Sequence, residues 1–328
     1  MKGGIRSSPV RSIFHGDLGS VNTGAAENAV RFRSGSRARV GAVGAIRSDS
    51  EVCAYAAPHY GRRVARDADS SRKPSYDRWL LLGEKRNELL ELWEVQQYGR
   101  DSFGDPDYVS IYGLKPADWY ARAVRILGRT AVECTRDRLA DLVGNDVAAI
   151  AGRAPGAGEP VIVDLFGGSG NSLYWLTRHV AAARAIGFEL DHTVFDLARK
   201  NLAIVSLGID LIHTSYDVGL RKLSVADDDL LIVFVAPPWG QALNEASGLD
   251  LRSTTPPVSE VIDLTTAVFR SHKLLFATQV YESVNPDSLA EVTARFEWSA
   301  LEGYSINAPG QNHGLLLGTR GWKPDNPA

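Results

Sequence analysis

The segment that most constrains the fold is an uninterrupted apolar run, residues 230–235, that ends at two consecutive prolines. A strand that is apolar at every position is buried on both faces, which is typical of the centre of a parallel sheet covered by helices. The prolines end the strand because proline lacks the amide hydrogen that a sheet ladder needs. An earlier apolar run, residues 161–165, ends in a turn rich in glycine.

Predicted strands and helices alternate from residue 161 onward. The predicted strands are 161–165, 185–188, 211–213, 230–235 and 273–278, and the predicted helices are 173–183, 193–207 and 259–270. We expect residues 296–301 and 314–318 to add a final antiparallel pair. This alternation predicts an α/β fold with a doubly wound, Rossmann-like sheet, preceded by an N-terminal helical extension.

The chain divides into three regions by composition. Residues 1–73 are rich in Gly, Ser, Ala and Arg, which predicts a disordered basic extension. An arm that contacts RNA phosphates and a targeting peptide are the alternatives. Residues 74–152 show helical spacing of Trp and Leu, which predicts a helical N-terminal or lid region. A Gly- and Pro-rich linker, residues 152–160, then leads into the α/β domain, residues 153–328.

Composition excludes several kinds of partner. The formal charge of -3 gives no global attraction to nucleic acid or membrane. The only two cysteines, Cys53 and Cys134, allow neither a disulfide framework nor a cysteine-based metal site, and the histidines lack metal-ligand spacing. No apolar run is long enough to span a membrane, and residues 1–30 lack the apolar core of a secretory signal. We therefore expect a soluble, cytoplasmic protein without a metal.

The glycine turn has the chemistry of an amino-acid-binding loop. Gly167, Gly168 and Gly170 lack a Cβ, so the backbone can turn tightly and admit a bulky ligand. The helix that begins near Asn171 presents amides that favour a carboxylate. Asp164, at the end of the strand, is placed to accept a hydrogen bond from an ammonium group. This combination suits the amino-acid end of S-adenosylmethionine.

The next two strand ends supply acceptors for the rest of that cofactor. Glu189 follows the second strand and can accept both ribose hydroxyls. Asp217 follows the third strand and can accept the adenine amino group, with Tyr216 against the ring. A nicotinamide dinucleotide is the rival ligand, but the turn lacks the G-x-G-x-x-G spacing of such sites. The predicted cofactor-binding residues are Asp164, Phe166, Gly167, Gly168, Gly170, Asn171, Glu189, Leu190, Tyr216, Asp217 and, from the preceding region, Thr135.

The proline turn is the predicted catalytic element. Two prolines stiffen the backbone after residue 235, so that carbonyl groups can point at an N–H of a substrate. The aromatic side chain that follows can stack on a planar base, a contact typically worth ~1–3 kcal/mol. The predicted catalytic residues are Ala236, Pro237, Pro238 and Trp239.

Together these residues resemble the class I S-adenosylmethionine-dependent methyltransferases. Residues 164–170 are similar to the D-x-F-x-G-S-G turn of amino methyltransferases that act on nucleobases, and residues 236–239 to their D/N/S-P-P-aromatic motif. The closest resemblance is to the trimethylguanosine synthase group, and it implies that Trp239 stacks on the methylated base. Two positions depart from that group: Ala236 replaces the usual polar residue, and Gln241 replaces a second glycine.

The region before the α/β domain is expected to complete the substrate site. Helices are predicted from Tyr76, over 116–127 and over 135–143. Tyr108, Tyr112, Trp119 and Tyr120 are predicted to line the substrate pocket, Tyr108 and Tyr112 as direct substrate contacts, with a small helical domain that packs its own core as the alternative. Arg136 is a second candidate for the cofactor carboxylate. Glu245 and Asp250 are candidate proton acceptors, and His313 is expected in a loop.

Three functions are consistent with these patterns. The first is methylation of a nitrogen in a planar substrate, such as a guanine-type base in RNA or a nucleotide, and the proline turn favours it. The second is methylation of a small heterocyclic metabolite, which the near-neutral charge favours. The third is a binding module that keeps the fold without catalysis, for which Ala236 is the supporting feature.

Overall fold

A computed structural model describes residues 30–34, 75–205, 208–244 and 246–324. The predicted extension over residues 1–73 lies outside the described residues, apart from a strand at 30–34. Glu245, a candidate proton acceptor, also lies outside them. None of the described helices is long and apolar enough to cross a lipid bilayer.

A central sheet organises the fold, and within the described residues it has eight strands. Their order across the sheet is β1-β9-β10-β8-β5-β2-β3-β4, and only β10 runs against the others. A two-stranded hairpin, β6 and β7, stands apart from it. The strands are β1 (Val30–Ser34), β2 (Pro160–Asp164), β3 (Arg184–Glu189), β4 (Ile209–His213), β5 (Leu230–Val235), β6 (Leu243–Asn244), β7 (Gly248–Leu249), β8 (Lys273–Tyr281), β9 (Trp298–Ser305) and β10 (His313–Arg320).

Helices cover both faces of this sheet. α8, α9 and α10 pack on one face, and α5 and α6 pack on the other. The helices are α1 (Arg78–Leu82), α2 (Leu92–Phe103), α3 (Pro116–Ala121), α4 (Gly128–Glu133), α5 (Asp137–Ala151), α6 (Asn171–His179), α7 (His192–Val205), α8 (Tyr216–Lys222), α9 (Val258–Val268) and α10 (Pro286–Thr293). The doubly wound, Rossmann-like α/β fold and the final antiparallel pair are confirmed.

The strand order reverses between β2 and β5. The chain builds β2, β3 and β4 outward in one direction, and then returns to place β5 and β8 on the other side of β2. Ligands of open α/β sheets bind at the carboxyl ends of the strands beside such a reversal. We call the side of the sheet where β2, β3, β5 and β8 end the carboxyl edge. Because β10 is reversed, its first residue, His313, also lies there, opposite Tyr281.

The region before the sheet is helical, but the first two predicted helices are shorter than expected, whereas the third, predicted over 135–143, extends to Ala151. The first predicted helix is interrupted after Leu82, and the segment predicted over 116–127 is helical only to Ala121. A third apolar cluster holds these pieces together around Trp119, which is fully buried and donates from its indole nitrogen to the carbonyl of Val109. Trp79, which helical spacing suggests as a core residue, is 69% exposed.

Replacement of Trp119 by alanine tests this third cluster. We expect Trp119→Ala to lower the free energy of unfolding by about 3–5 kcal/mol, because it removes a fully buried indole and leaves a cavity. The matched control is Trp79→Ala, which removes an exposed indole and should change the value by less than about 0.5 kcal/mol. Urea denaturation measures both, and equal losses would contradict the assigned core.

Candidate functional site

The glycine turn and the proline turn leave the sheet side by side. β2 and β5 are neighbouring parallel strands, with Asp164 opposite Phe234. The amide of Leu165 donates to the carbonyl of Phe234 at 3.1 Å, so the ladder continues to the point where the two turns begin. Residues 166–170 and 236–239 therefore lie side by side at the carboxyl edge, although about 70 residues separate them in sequence. We call the region of the carboxyl edge between these two turns the crevice.

The glycine turn is held by the strand next to it. Gly168 and Gly170 have φ angles of 52° and 77°, in the left-handed region that favours glycine. The amide of Gly168 donates to Glu189 Oε2 at 2.8 Å, and the amide of Gly167 donates to the Phe188 carbonyl at 2.7 Å. Gly170 then begins α6 without a side-chain cap. The turn is thus fixed by bonds to β3 and keeps an open face towards the crevice.

Two carboxylates end β2 and β3. Asp164 is 1% exposed and accepts one hydrogen bond, from the Phe166 amide at 3.0 Å. Burial and, to a smaller extent, the nearby Glu189 raise the pKa of Asp164 to about 7, although the hydrogen bond from the Phe166 amide opposes the rise. Burial also raises the pKa of Glu189, while the amides of Asp191 and Gly168 and the charge of Arg129 oppose that rise. A cation placed beside Asp164 would relieve its unfavourable ionisation.

The helical region docks on the glycine turn through polar contacts. Asn171, which is fully buried, accepts from the Tyr112 amide at 2.7 Å and donates to the Thr135 carbonyl at 2.7 Å. The Tyr112 hydroxyl donates to the carbonyl of Ser169. Thr135 donates from its hydroxyl to Gln279 Oε1 at 2.6 Å. The side chains of Asn171 and Tyr112 are therefore engaged in positioning the turn, whereas the Thr135 side chain is engaged with β8.

These placements differ from the roles expected for those side chains. Tyr112 is 2% exposed and both its polar groups bond to the turn, so it supports the site from behind and does not line an open pocket. Asp137 completes the support, because it accepts from Asn171 Nδ2 and from the Trp175 indole nitrogen. Asp137 was not predicted, and its position at the start of an exposed-looking helix gave no signal of a buried network.

The proline turn keeps two free carbonyl groups. The Pro238 carbonyl accepts from the Thr255 amide at 3.4 Å, and the Trp239 carbonyl accepts from the Ala242 amide at 2.8 Å. Among the hydrogen bonds of the described residues, none ends on the carbonyl of Ala236 or Pro237. Two carbonyl acceptors next to the crevice are therefore available to an N–H donor.

Trp239 is half-buried beside two other rings. Its ring centroid lies 5.5 Å from that of His313, with the planes at 33°, and 6.3 Å from that of Tyr281 in an edge-on arrangement. A stacked ligand must therefore use the part of the indole that these two rings leave uncovered. His313, expected in a loop, is the first residue of β10. Only the strand pairing of β10 with β8 brings it to the site, so local sequence offered no signal for it.

The other predicted residues lie around the same edge. Phe166 and Tyr216 face each other with ring centroids 5.5 Å apart. Leu190, just after Glu189, is 70% exposed. Asp217 lies in the first turn of α8, and its pKa is lowered by a hydrogen bond with Ser215. Asp250, a candidate proton acceptor, forms an ion pair with Arg252 at 2.8 Å.

Tyr108 packs against the third apolar cluster, between Phe103 and Arg136. The Tyr108 ring stacks on that of Phe103, with centroids 3.4 Å apart. The guanidinium of Arg136 lies 4.1 Å from the centre of the Tyr108 ring. Among residues 75–205, 208–244 and 246–324, no group of three His, Cys, Asp or Glu side chains is arranged to hold a metal ion.

Comparisons with known proteins find this fold in solved structures. No protein-family model matches the chain, and no curated protein matches it. The chain is similar to the METTL16 MTase domain, at 14% identity over 71% of this chain and 82% of that one, with a TM-score of 0.43. It is also similar to the Pyrococcus abyssi tRNA (uracil-54, C5)-methyltransferase in complex with S-adenosyl-L-homocysteine, at 17% identity over 60% and 42% of the two chains, with a TM-score of 0.36.

A third similar structure is spermidine synthase from Thermotoga maritima. It is 14% identical over 61% of this chain and 66% of that one, with a TM-score of 0.40. At these identities the likenesses concern the fold alone.

The buried Asp164 predicts an unusual pH dependence of stability. Its pKa rises from an ordinary value near ~4 to about 7 on folding, so the folded protein holds the proton more tightly. The stabilisation by that proton is present at acid pH and is lost as the pH rises through about 7. Between roughly pH 5 and pH 8, the free energy of unfolding of wild type should fall by on the order of a few kcal/mol relative to that of Asp164→Asn.

The difference between wild type and Asp164→Asn reports the titration of Asp164, because the other titrating groups are the same in both proteins. The amide oxygen that Asp164→Asn introduces can still accept from the Phe166 amide, so the substitution keeps the one hydrogen bond. Chemical denaturation across the pH range measures the difference. Parallel curves for the two proteins would show that Asp164 titrates normally.

Proposed function

We propose that this protein is an S-adenosylmethionine-dependent methyltransferase that transfers a methyl group to a nitrogen of a planar acceptor, of the guanine type in RNA or a nucleotide. One observation carries the proposal. The buried Asp164 and the half-buried Glu189 lie on the side of the glycine turn, and a proline turn with two free carbonyls lies beside them at the strand-order reversal. A cationic donor fits the first side, and a flat N–H-bearing acceptor fits the second.

The residues present fit the cofactor. Asp164 has no cation beside it among the described residues, and an ammonium group would supply one. The two Glu189 oxygens accept from Gly168 and Asp191, and a carboxylate has further lone pairs for two ribose hydroxyls. The open face of Gly168, where a Cβ would meet no atom closer than 3.7 Å, leaves room for the amino-acid portion. Leu190, exposed at the end of β3, is available to an adenine ring.

The acceptor is held by the proline turn. When bound, S-adenosylmethionine supplies a methyl group on a positively charged sulfur. The carbonyls of Ala236 and Pro237 accept the hydrogens of the acceptor nitrogen and direct its lone pair, and Trp239 fixes the plane of the ring. Positioning of this kind can account for a large part of the rate of a displacement reaction. Ala236 acts through its backbone carbonyl, so this role needs no polar side chain at position 236.

The experiment that tests the proposal has two parts. Calorimetry with S-adenosyl-L-homocysteine and S-adenosylmethionine measures cofactor binding, and no heat with either would contradict it. Transfer of a labelled methyl group is then measured with total RNA, guanine nucleotides and a metabolite extract. Label in RNA or nucleotides supports the proposed acceptor, and label confined to other metabolites refutes it while leaving the enzyme class in place.

Glu189→Gln is expected to weaken cofactor binding about 10- to 100-fold, because it removes the charge that holds both the turn and the ribose hydroxyls. The matched control is Glu133→Gln, which removes a carboxylate that pairs with Arg129 at the protein surface. Calorimetry with S-adenosyl-L-homocysteine gives both dissociation constants. Equal affinity of Glu189→Gln and wild type would exclude the ribose role.

Trp239→Ala is expected to raise the KM for the acceptor about 5- to 100-fold, because stacking of a base on an aromatic ring contributes ~1–3 kcal/mol. Trp239→Phe should retain most of the affinity, since a phenyl ring still stacks. Cofactor binding should be unchanged in both, because Trp239 lies on the β5 side of the crevice. Steady-state kinetics with the labelled acceptor measure the effect, and an unchanged KM in Trp239→Ala would refute stacking.

A further inference from the structure

Arg136 has an unusual environment for an arginine. It is half-buried and immediately precedes α5 at the carboxyl edge. Its guanidinium lies 4.1 Å from the centre of the Tyr108 ring and 5.4 Å from that of Phe103. Stacking on aromatic rings uses the face of a guanidinium and leaves the hydrogen-bond donors at its edge free.

The edge of the Arg136 guanidinium has no acidic partner among the described residues. Across the described ranges of the chain, no hydrogen bond or ion pair of the Arg136 side chain occurs, whereas Arg129, Arg252 and Arg295 each pair with an aspartate at 2.8–2.9 Å. A partly buried charge without a counter-ion is costly, and such groups mark functional sites more often than structural ones.

An unused polar atom lies near the same guanidinium. The Nδ1 atom of His313 is enclosed without a hydrogen bond among the described residues. Burial, together with the charge of Arg136, lowers the pKa of His313 to about 3, so this ring is neutral at physiological pH. The neutral ring can donate or accept one hydrogen bond without adding a second positive charge. Among the described residues, Arg136 is therefore the cation that acts on both the neutral His313 ring and Tyr108.

We infer that Arg136 binds a phosphate of the acceptor, which makes the substrate a nucleotide or an RNA and excludes an uncharged heterocycle. The inference rests on the proposed function for the identity of the acceptor. The planar edge of a guanidinium matches phosphate oxygens in a bidentate geometry. Tyr108, predicted from sequence to contact substrate, then acts by holding the plane of Arg136.

The surroundings favour the acceptor over the cofactor as the source of the anion. The charge of Arg136 helps to lower the pKa of His313, so the two side chains are near each other. The His313 ring lies 5.5 Å from that of Trp239, the predicted platform for the acceptor. On the cofactor side, the preceding residue, Thr135, is bonded through its carbonyl to Asn171 and through its hydroxyl to Gln279. The carboxylate of the cofactor is the other possible anion, and the experiment separates the two.

The first measurement is independent of methyl transfer. Inorganic pyrophosphate at millimolar concentration should raise the melting temperature of wild type and of the control Arg270→Gln, whose guanidinium lies by the opposite edge of the sheet and bonds to the Ala267 carbonyl. Arg136→Gln should lose the shift, and Arg136→Lys should retain part of it, because lysine keeps the charge without the planar edge. No shift in wild type, or an equal shift in Arg136→Gln, would overturn the inference.

The second measurement identifies the source of the anion by calorimetry with two pairs of ligands. GMP is compared with guanosine, and S-adenosyl-L-homocysteine with 5′-methylthioadenosine, which lacks the carboxylate. We expect Arg136→Gln to weaken the binding of GMP about 10- to 100-fold. The affinities for guanosine, S-adenosyl-L-homocysteine and 5′-methylthioadenosine should be unchanged. A loss confined to S-adenosyl-L-homocysteine would overturn the assignment to the acceptor.

These outcomes are separable from failure of the proposed function. Wild type that binds pyrophosphate and GMP but neither cofactor ligand would refute the methyltransferase while retaining the phosphate site. Wild type that binds S-adenosyl-L-homocysteine, with Arg136→Gln indistinguishable from it towards GMP and pyrophosphate, would retain the methyltransferase and refute the phosphate site. Far-ultraviolet circular dichroism of Arg136→Gln and Arg136→Lys verifies that both variants fold.

Discussion

The parallel pairing of β2 with β5 is the constraint on which the site depends. Both strands are buried almost throughout, so packing on both faces fixes their register, with Asp164 opposite Phe234. A slip of one residue would turn each side chain to the other face of the sheet. Because the register is fixed, the two turns that follow these strands must begin at the same depth. The crevice between them therefore follows from the packing of the core.

A second constraint comes from the helical region, which completes the site through polar contacts. Asn171 is fully buried and bonds to a residue before α3, to one before α5 and to Asp137. A buried amide tolerates few alternative arrangements, since each lost bond leaves an uncompensated polar group. The glycine turn is thus held from β3 on one side and from the helical region on the other. The conformation of the glycine turn therefore depends on both the sheet and the helical region.

Sequence predicted those features that short-range chemistry determines. The bounds of β5 were correct because an all-apolar run and two prolines define a buried strand and its end. The first two helices of residues 74–152 were predicted too long, because helical spacing of apolar residues does not show where a turn such as the one at Gly83 intervenes. The third was predicted too short, since it continues to Ala151. The roles of His313 and Asp137 depend on contacts between residues distant in sequence, for which no local pattern exists. The fold was therefore readable from sequence, whereas the support of the site was not.

The charges at the carboxyl edge are arranged in opposite senses on its two sides. Glu189, and Asp164 once a bound cation offsets its raised pKa, make the β2 and β3 side negative. Arg136, which has no ion-pair partner among the described residues, contributes positive charge on the side of His313. The net charge of the whole chain, -3, does not predict this distribution of charge, because the electric field within a crevice depends on the groups that line it. A positively charged donor and a phosphate-bearing acceptor would each be attracted to one side and repelled from the other. Electrostatics would then orient the two substrates relative to each other before any specific contact forms, so that the acceptor nitrogen meets the methyl group between them.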